Sequence, residues 1–149
     1  MGKQVDKDCR DWKDRERKFA KDLGKYFKCD MIERDTYNKI DYDCVRGGNI
    51  EAYAELKIRE HNYGRFKTLF IDEKKLEAMR KHWMLNKKPH LLCIRWDDCD
   101  RYYEVTGYEK FLVEKDSGRT KKTREANDID DVEHIPIKKF KLITYEDKK

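Results

Sequence analysis

The chain has 149 residues, 45% of them charged, with 36 Lys and Arg against 31 Asp and Glu for a net charge of +5. That length suits one domain spanning 1–149; Leu, Ile, Val and Phe total only 30 residues, close to a disordered composition, but nine Tyr and three Trp point to a small aromatic-rich core. No apolar run approaches membrane-spanning length and the N-terminus lacks an apolar signal core, so a cytoplasmic protein without a membrane partner is expected.

From about Asp8 to Lys28 the pattern is helical. Trp12, Phe19, Leu23, Tyr26 and Phe27 fall on one arc at 3.6-residue periodicity. Glu16 lies inside that arc, where a carboxylate is costly unless it is paired or bound to a metal. Two readings stay open: a rim glutamate paired with a lysine, or a carboxylate reaching a metal site from a helix beside the sheet. Cys29 to Arg34 reads as a short strand, with Asp35 to Lys39 as its connection.

Ile40 to Arg59 reads as a hairpin around Gly47 and Gly48. In its second strand Ala54, Leu56 and Ile58 alternate with Glu55 and Lys57, so the two charged residues share one face. A three-residue Gly47-Gly48-Asn49 loop would set Asp41 opposite Glu55 and Asp43 opposite Tyr53. A two-residue Gly-Gly turn would set Asp41 beside Ala54, on the wrong face. The longer loop is therefore expected, with Asp41 as a metal ligand beside Glu55 and Asp43 as the fallback. Two carboxylates and an ammonium on one face suit a divalent metal and an activated water.

The acidic-x-Lys spacing means little alone, because it recurs at Asp11, Glu16, Asp72, Glu73, Glu146 and Asp147. Glu55-Leu56-Lys57 differs in its apolar strand context and its aspartate in register. A solvent-facing strand edge with alternating charge is the bland alternative. After it, Arg59, Tyr63, Arg65 and Lys67 form a polar, basic and aromatic loop able to meet phosphates and stack a base. An ordinary solvated connection would look the same.

Thr68 to Ile71 is a brief apolar run. Asp72 then caps a helix through His82 or Trp83, with Leu76, Met79 and Trp83 buried and Lys75 at the margin. Leu91 to Trp96 reads as a buried strand, turned by Asp97 to Asp100 into a partner at Arg101 to Val105. Tyr108 to Val113 adds a strand or short helix. In the polar stretch Glu114 to Asp131, Arg119, Lys121, Lys122 and Arg124 read as a phosphate-binding or merely solvated loop. Ile135-Pro136-Ile137 is expected as an edge strand because of its proline, and Phe140 to Ile143 docks the end.

The resulting class is α/β or α+β, a central mixed sheet flanked by helices. Five cysteines without a Cys-x-x-Cys pair suggest reduced thiols, and the four His are not spaced for zinc. The basic excess fits a nucleic-acid partner without requiring one.

The αβββαβ order, with Ile40-Asp41-Tyr42, Glu55-Leu56-Lys57-Ile58-Arg59, Lys75-Leu76, Ser117-Gly118-Arg119 and Ile135-Pro136-Ile137, resembles the PD-(D/E)XK nuclease superfamily and its small phage-type members. Ile40 stands where the family's proline usually precedes the aspartate. The resemblance implies a restriction-endonuclease-like fold and metal-dependent hydrolysis of DNA, as an endonuclease acting in the host cytoplasm. It implies that Asp41, Glu55 and the Leu56 carbonyl hold Mg²⁺, for which Mn²⁺ would substitute, with Glu16 as a further ligand. Lys57 would orient or help deprotonate the attacking water, and Lys75 would be an auxiliary phosphate contact. A non-catalytic nucleic-acid-binding module on the same fold is the alternative, and a homodimer aligning two sites stays open.

Overall fold

A computed structural model describes residues 2–35, 40–115 and 131–146, with side chains from residue 11 onward. The elements are α1 (Gly2–Phe27), β1 (Asp30–Glu33), β2 (Tyr42–Arg46), β3 (Asn49–Ile58), β4 (Thr68–Asp72), α2 (Glu73–Asn86), β5 (His90–Arg95), β6 (Asp100–Val105), β7 (Leu112–Glu114), β8 (Val132–Pro136) and β9 (Lys141–Ile143). Six strands form the central sheet in the order β1-β2-β3-β5-β6-β9. It is antiparallel except for β3 and β5, which run parallel because α2 and β4 form the crossover between them. The order α1, β1 to β3, α2, β5 is the expected restriction-endonuclease-like core, with β4 inserted before α2.

A core lies on each face of this sheet. On one face Phe19, Ala20 and Leu23 of α1 pack against Tyr42, Cys44, Ala54, Leu56 and Cys93. On the other, Leu76 and Met79 of α2 meet Leu92 and Ile94, with Leu69, Ile71 and Ile135 from the second sheet. Alternation along β3 therefore sends Leu56 to α1 and Glu55 to α2. The α1 arc is shorter than its periodicity predicts, since Trp12 is exposed and stacks with the Arg15 guanidinium instead of entering the core. At the other end of the sheet Arg95 ties β5 to β6 through Asp100 and to α1 through Asp22.

The second sheet has the order β4-β8-β7. β8 is thus its central strand, not the expected edge. Pro136 is accommodated because β7 pairs only with Val132 to His134, leaving the proline opposite Thr68 alone at the strand end. α2 begins where expected, with the Asp72 carboxylate accepting from the Lys74 N–H at 2.9 Å. It runs on to Asn86, where Lys87 closes it in the left-handed conformation, φ 62°.

α2 also docks on β5 through a histidine pair. His90 is fully buried and donates from Nδ1 to the Lys88 carbonyl at 2.7 Å, so its Nε2 accepts from His82 Nδ1 at 2.7 Å. Tyr53 stacks against both rings, while Arg34 and Asp43 lie near His82. Burial, aided by His82, pushes His90 down to about 4. The unfolded imidazole takes its proton near 6.5, so stability is full above that pH and declines as pH falls toward 4. Relative to His90→Gln, the wild type is expected to lose about 2–3 kcal/mol of unfolding free energy between pH 7 and pH 4.5. Urea titrations of both proteins check this, and a pH-independent difference refutes it.

Candidate active site

The β2–β3 hairpin sets the site's register by a route other than the expected one. Its turn has two residues, Gly47 and Gly48, both with positive φ (59° and 82°), as a type I′ turn requires. That turn pairs Arg46 with Asn49 and by itself would put Asp41 opposite Ala54. A bulge intervenes: Val45 faces Ile50 but Cys44 faces Ala52, leaving Glu51 as the extra residue. From there Asp43 faces Tyr53, and two residues further along Asp41 comes level with Glu55. Turn and bulge together give the register that a three-residue loop would have given.

Glu55 and Lys57 pair with Leu92 and Ile94 of β5 on the face covered by α2. The Glu55 side chain is 2% exposed, with Lys75 Nζ descending from the first turn of α2 to 3.3 Å from its Oε1 and Lys57 Nζ 3.7 Å from its Oε2. Lys75 Nζ is also 4.0 Å from Asp41 Oδ1, and the Leu56 N–H makes a long contact of 3.4 Å with Asp41 Oδ2. Glu55 Oε1 is buried and, despite the nearby ammonium, receives no hydrogen bond in proper geometry. Burial, then the Asp41 carboxylate, hold the Glu55 carboxyl up at about 8, with Lys75 and Lys57 opposing. An under-coordinated, buried carboxylate oxygen beside a second carboxylate is a donor set fitted to a hard divalent cation.

The family model described as "Phage putative PDDEXK endonuclease" matches residues 6–143. The chain belongs to this phage PD-(D/E)XK endonuclease family. No curated protein and no solved structure matches it. The match spans the hairpin, both helices and both sheets.

In this member of the family the other candidate residues fall in different places. Asp43 lies on the same face as Asp41 but is held by Arg34, whose Nε is 3.4 Å from its Oδ1. Glu16, Asp41 and Glu55 do not form a group whose ligand oxygens all lie within 4.8 Å of one another. Glu16 pairs loosely with Lys13 at 3.7 Å and lies near the Tyr42 phenol, which burial and then Glu16 and Glu33 push up. Tyr42 points to the α1 face, opposite to Glu55, because it alternates with Asp41. Tyr63 is committed internally: its hydroxyl donates to the Ile137 carbonyl at 3.0 Å, Trp96 packs on its edge, and the Arg101 guanidinium sits 3.7 Å over its ring. The exposed aromatic of that loop is Phe66, flanked by Arg65. Arg59 lies near Phe70 of β4, and Lys67 is exposed. Arg119, Lys121, Lys122 and Arg124 lie outside the described residues.

Beside the site a cleft of 780 Å³ opens between α2 and the end of β1, with Arg34, Lys74, Lys81 and His82 among its walls. Sequence reasoning named Lys75 but passed over Arg34 and the α2 cations Lys74 and Lys81. Their signal was Lys74 and Lys81 spaced seven apart, two turns along one helix face.

Among the described residues Glu73, Glu77 and Glu133 are the one group of three whose ligand oxygens all lie within 4.8 Å of one another. It is an ion-pair network. Lys110 bridges Glu73 and Glu77 at 3.0 and 3.1 Å, and Arg80 clamps Glu133 through both carboxylate oxygens. Those cations already occupy the lone pairs that a metal would need. Among the described residues no helix is long and apolar enough to cross a membrane.

Proposed function

We propose that the protein is a metal-dependent endonuclease that hydrolyses DNA phosphodiester bonds in the host cytoplasm, with its catalytic groups in the single domain 1–149. The reading is carried by the buried Glu55 carboxylate, level with Asp41 and flanked by Lys57 and Lys75. Asp41 and Glu55, with the Leu56 carbonyl, would hold Mg²⁺ or Mn²⁺. Such an ion, when bound, lowers the pKa of a coordinated water and polarises a phosphoryl oxygen.

The chain's own groups do the remaining work. Lys57, on the same face as Glu55 and about 35% exposed, is poised to hold the attacking water and to offset the charge that grows on the phosphate. Lys75 supplies a second ammonium from α2, fixed by the helix that Asp72 caps. Asp41 and Glu55 would hold the ion while Lys57 and Lys75, 3.7 and 3.3 Å from the Glu55 oxygens, would set positive charge beside the phosphate. Arg34, Lys74 and Lys81 line the adjoining cleft together with Glu73 and Glu77, and the three cations suit phosphates of a bound strand.

The test incubates the protein with supercoiled, linear, single-stranded and four-way-junction DNA in Mg²⁺ or Mn²⁺. Cleavage of at least one substrate is expected, lost in chelator and reduced about 10²–10³-fold in Lys57→Ala. Salt-sensitive binding without cleavage under either ion would favour the non-catalytic module.

A further inference from the structure

A second pocket lies on the same face, beyond the end of β3. It encloses 260 Å³ and is lined by Arg59, His61, Phe66, Phe70, Trp96 and Ile137, among others. That is smaller than the ~300–1,000 Å³ of pockets that enclose drug-sized ligands, and suits one planar heterocycle. Four rings line it: His61 and Phe66 meet edge to face with centroids 5.0 Å apart, and Phe70 and the buried Trp96 form further parts of the lining. Phe66 remains 53% exposed and Phe70 40% exposed.

Charge and position identify the occupant. Arg59 follows Lys57 by two residues, one strand repeat of about 6.6 Å along the same face. Its guanidinium lies 5.8 Å from the Phe70 ring, and that of Arg65 lies 5.5 Å from the Phe66 ring. Lys67 adds a third cation on this loop. An apolar slot rimmed by cations, whose lining includes Arg59 two residues after Lys57, complements a flat base joined to a phosphate. In a duplex the faces of the bases are covered by their neighbours, so only an unpaired or extruded base can stack there.

We infer that this pocket receives an unpaired nucleobase next to the phosphate held at Lys57. The enzyme then acts on strands with single-stranded or extrahelical nucleotides at the cleavage position. This rests on the nuclease reading above and narrows its substrate.

The test measures binding of a single-stranded oligonucleotide and of a fully paired hairpin duplex in chelator, where no cleavage occurs. Phe66→Ala is expected to weaken single-strand binding about 5- to 150-fold and to leave duplex binding within about twofold. Phe66→Leu keeps the apolar bulk but has no π-face, and is expected to lose most of the same affinity. A 2-aminopurine base in the single strand should be quenched on binding to the wild type and not to either variant. Equal effects on both DNAs, no effect on either, or unchanged quenching in Phe66→Leu overturns the inference. In parallel, Glu55→Gln is assayed for cleavage. No cleavage by the wild type in Mg²⁺ or Mn²⁺ overturns the nuclease reading itself, and unaltered cleavage by Glu55→Gln overturns its placement at Glu55, whereas loss of cleavage in Glu55→Gln with Phe66 variants that bind normally overturns only the base pocket. A pocket serving an apolar side chain of a protein partner gives that second pattern.

Discussion

Replacing Glu55 with Gln is expected to lower cleavage by roughly 10³-fold or more while making the metal-free protein more stable. The two effects share one cause. Glu55 is almost fully buried, lies beside Asp41, and has an oxygen that makes no hydrogen bond in proper geometry although the Lys75 ammonium is 3.3 Å away. Its carboxyl keeps its proton up to about 8 in the folded chain, against about 4.5 when unfolded. Folding stability therefore declines as pH rises from 4.5 through 8, because the unfolded state releases the proton first. Gln does not titrate, so at pH 7 the variant is spared on the order of 3 kcal/mol. Divalent metal reverses the comparison: Mg²⁺ or Mn²⁺ should raise the melting temperature of the wild type and leave Glu55→Gln unmoved. Melting curves with and without metal read this directly, and equal metal responses in the two proteins would remove Glu55 from the proposed ligand set.

The same hairpin shows how far a sequence can be read. Alternation of Ala54, Leu56 and Ile58 with Glu55 and Lys57 is a local signal, and it holds beyond the bulge at Glu51, where β3 is buried on both faces from Ala52 to Leu56. The register of Asp41 was legible only as a demand, that the two carboxylates share a face. The device that meets it, a two-residue turn corrected by a bulge at Glu51, leaves no distinctive trace, because Gly-Gly-Asn serves either loop length. Pro136 misled for a related reason: the chain reveals that a residue lacks an N–H, but not that β7 stops short of it. Glu16 sat on the apolar arc of α1, yet which sheet face receives α1 depends on long-range topology. That topology places Glu16 near Tyr42 and outside any tight group of three ligand oxygens with Asp41 and Glu55. Tyr63 and Phe66 were equivalent as letters in one loop. Only packing against Trp96 and Arg101 distinguishes the committed ring from the exposed one.

The second large effect is expected far from the carboxylates, at the Arg80–Glu133 pair. Arg80 is 6% exposed and Glu133 fully buried, and their fork-to-fork pairing joins α2 to β8. The Phe111 N–H also donates to Glu133 at 3.1 Å, and Arg80 Nε donates to the Glu109 carbonyl at 3.0 Å, so β7 and its approach are gathered on the same pair. Removing Arg80 strands the Glu133 charge in the interior, and removing Glu133 leaves Arg80 with only the half-exposed Glu77 carboxylate at 3.3 Å. Arg80→Met or Glu133→Leu alone is therefore expected to cost about 3–5 kcal/mol of unfolding free energy. The double variant exchanges the pair for apolar volume and should recover most of that loss, since the solvation penalty of both ions disappears together. Activity separates stability from positioning. α2 carries Lys75 over Glu55 at its first turn, and Arg80 anchors the helix five residues later. If the pair only stabilises the fold, the double variant regains cleavage along with its denaturant midpoint. If the pair also fixes α2 at the height that brings Lys75 to Glu55, the midpoint returns while cleavage stays depressed about tenfold or more, as expected when a charged group is misplaced by an ångström.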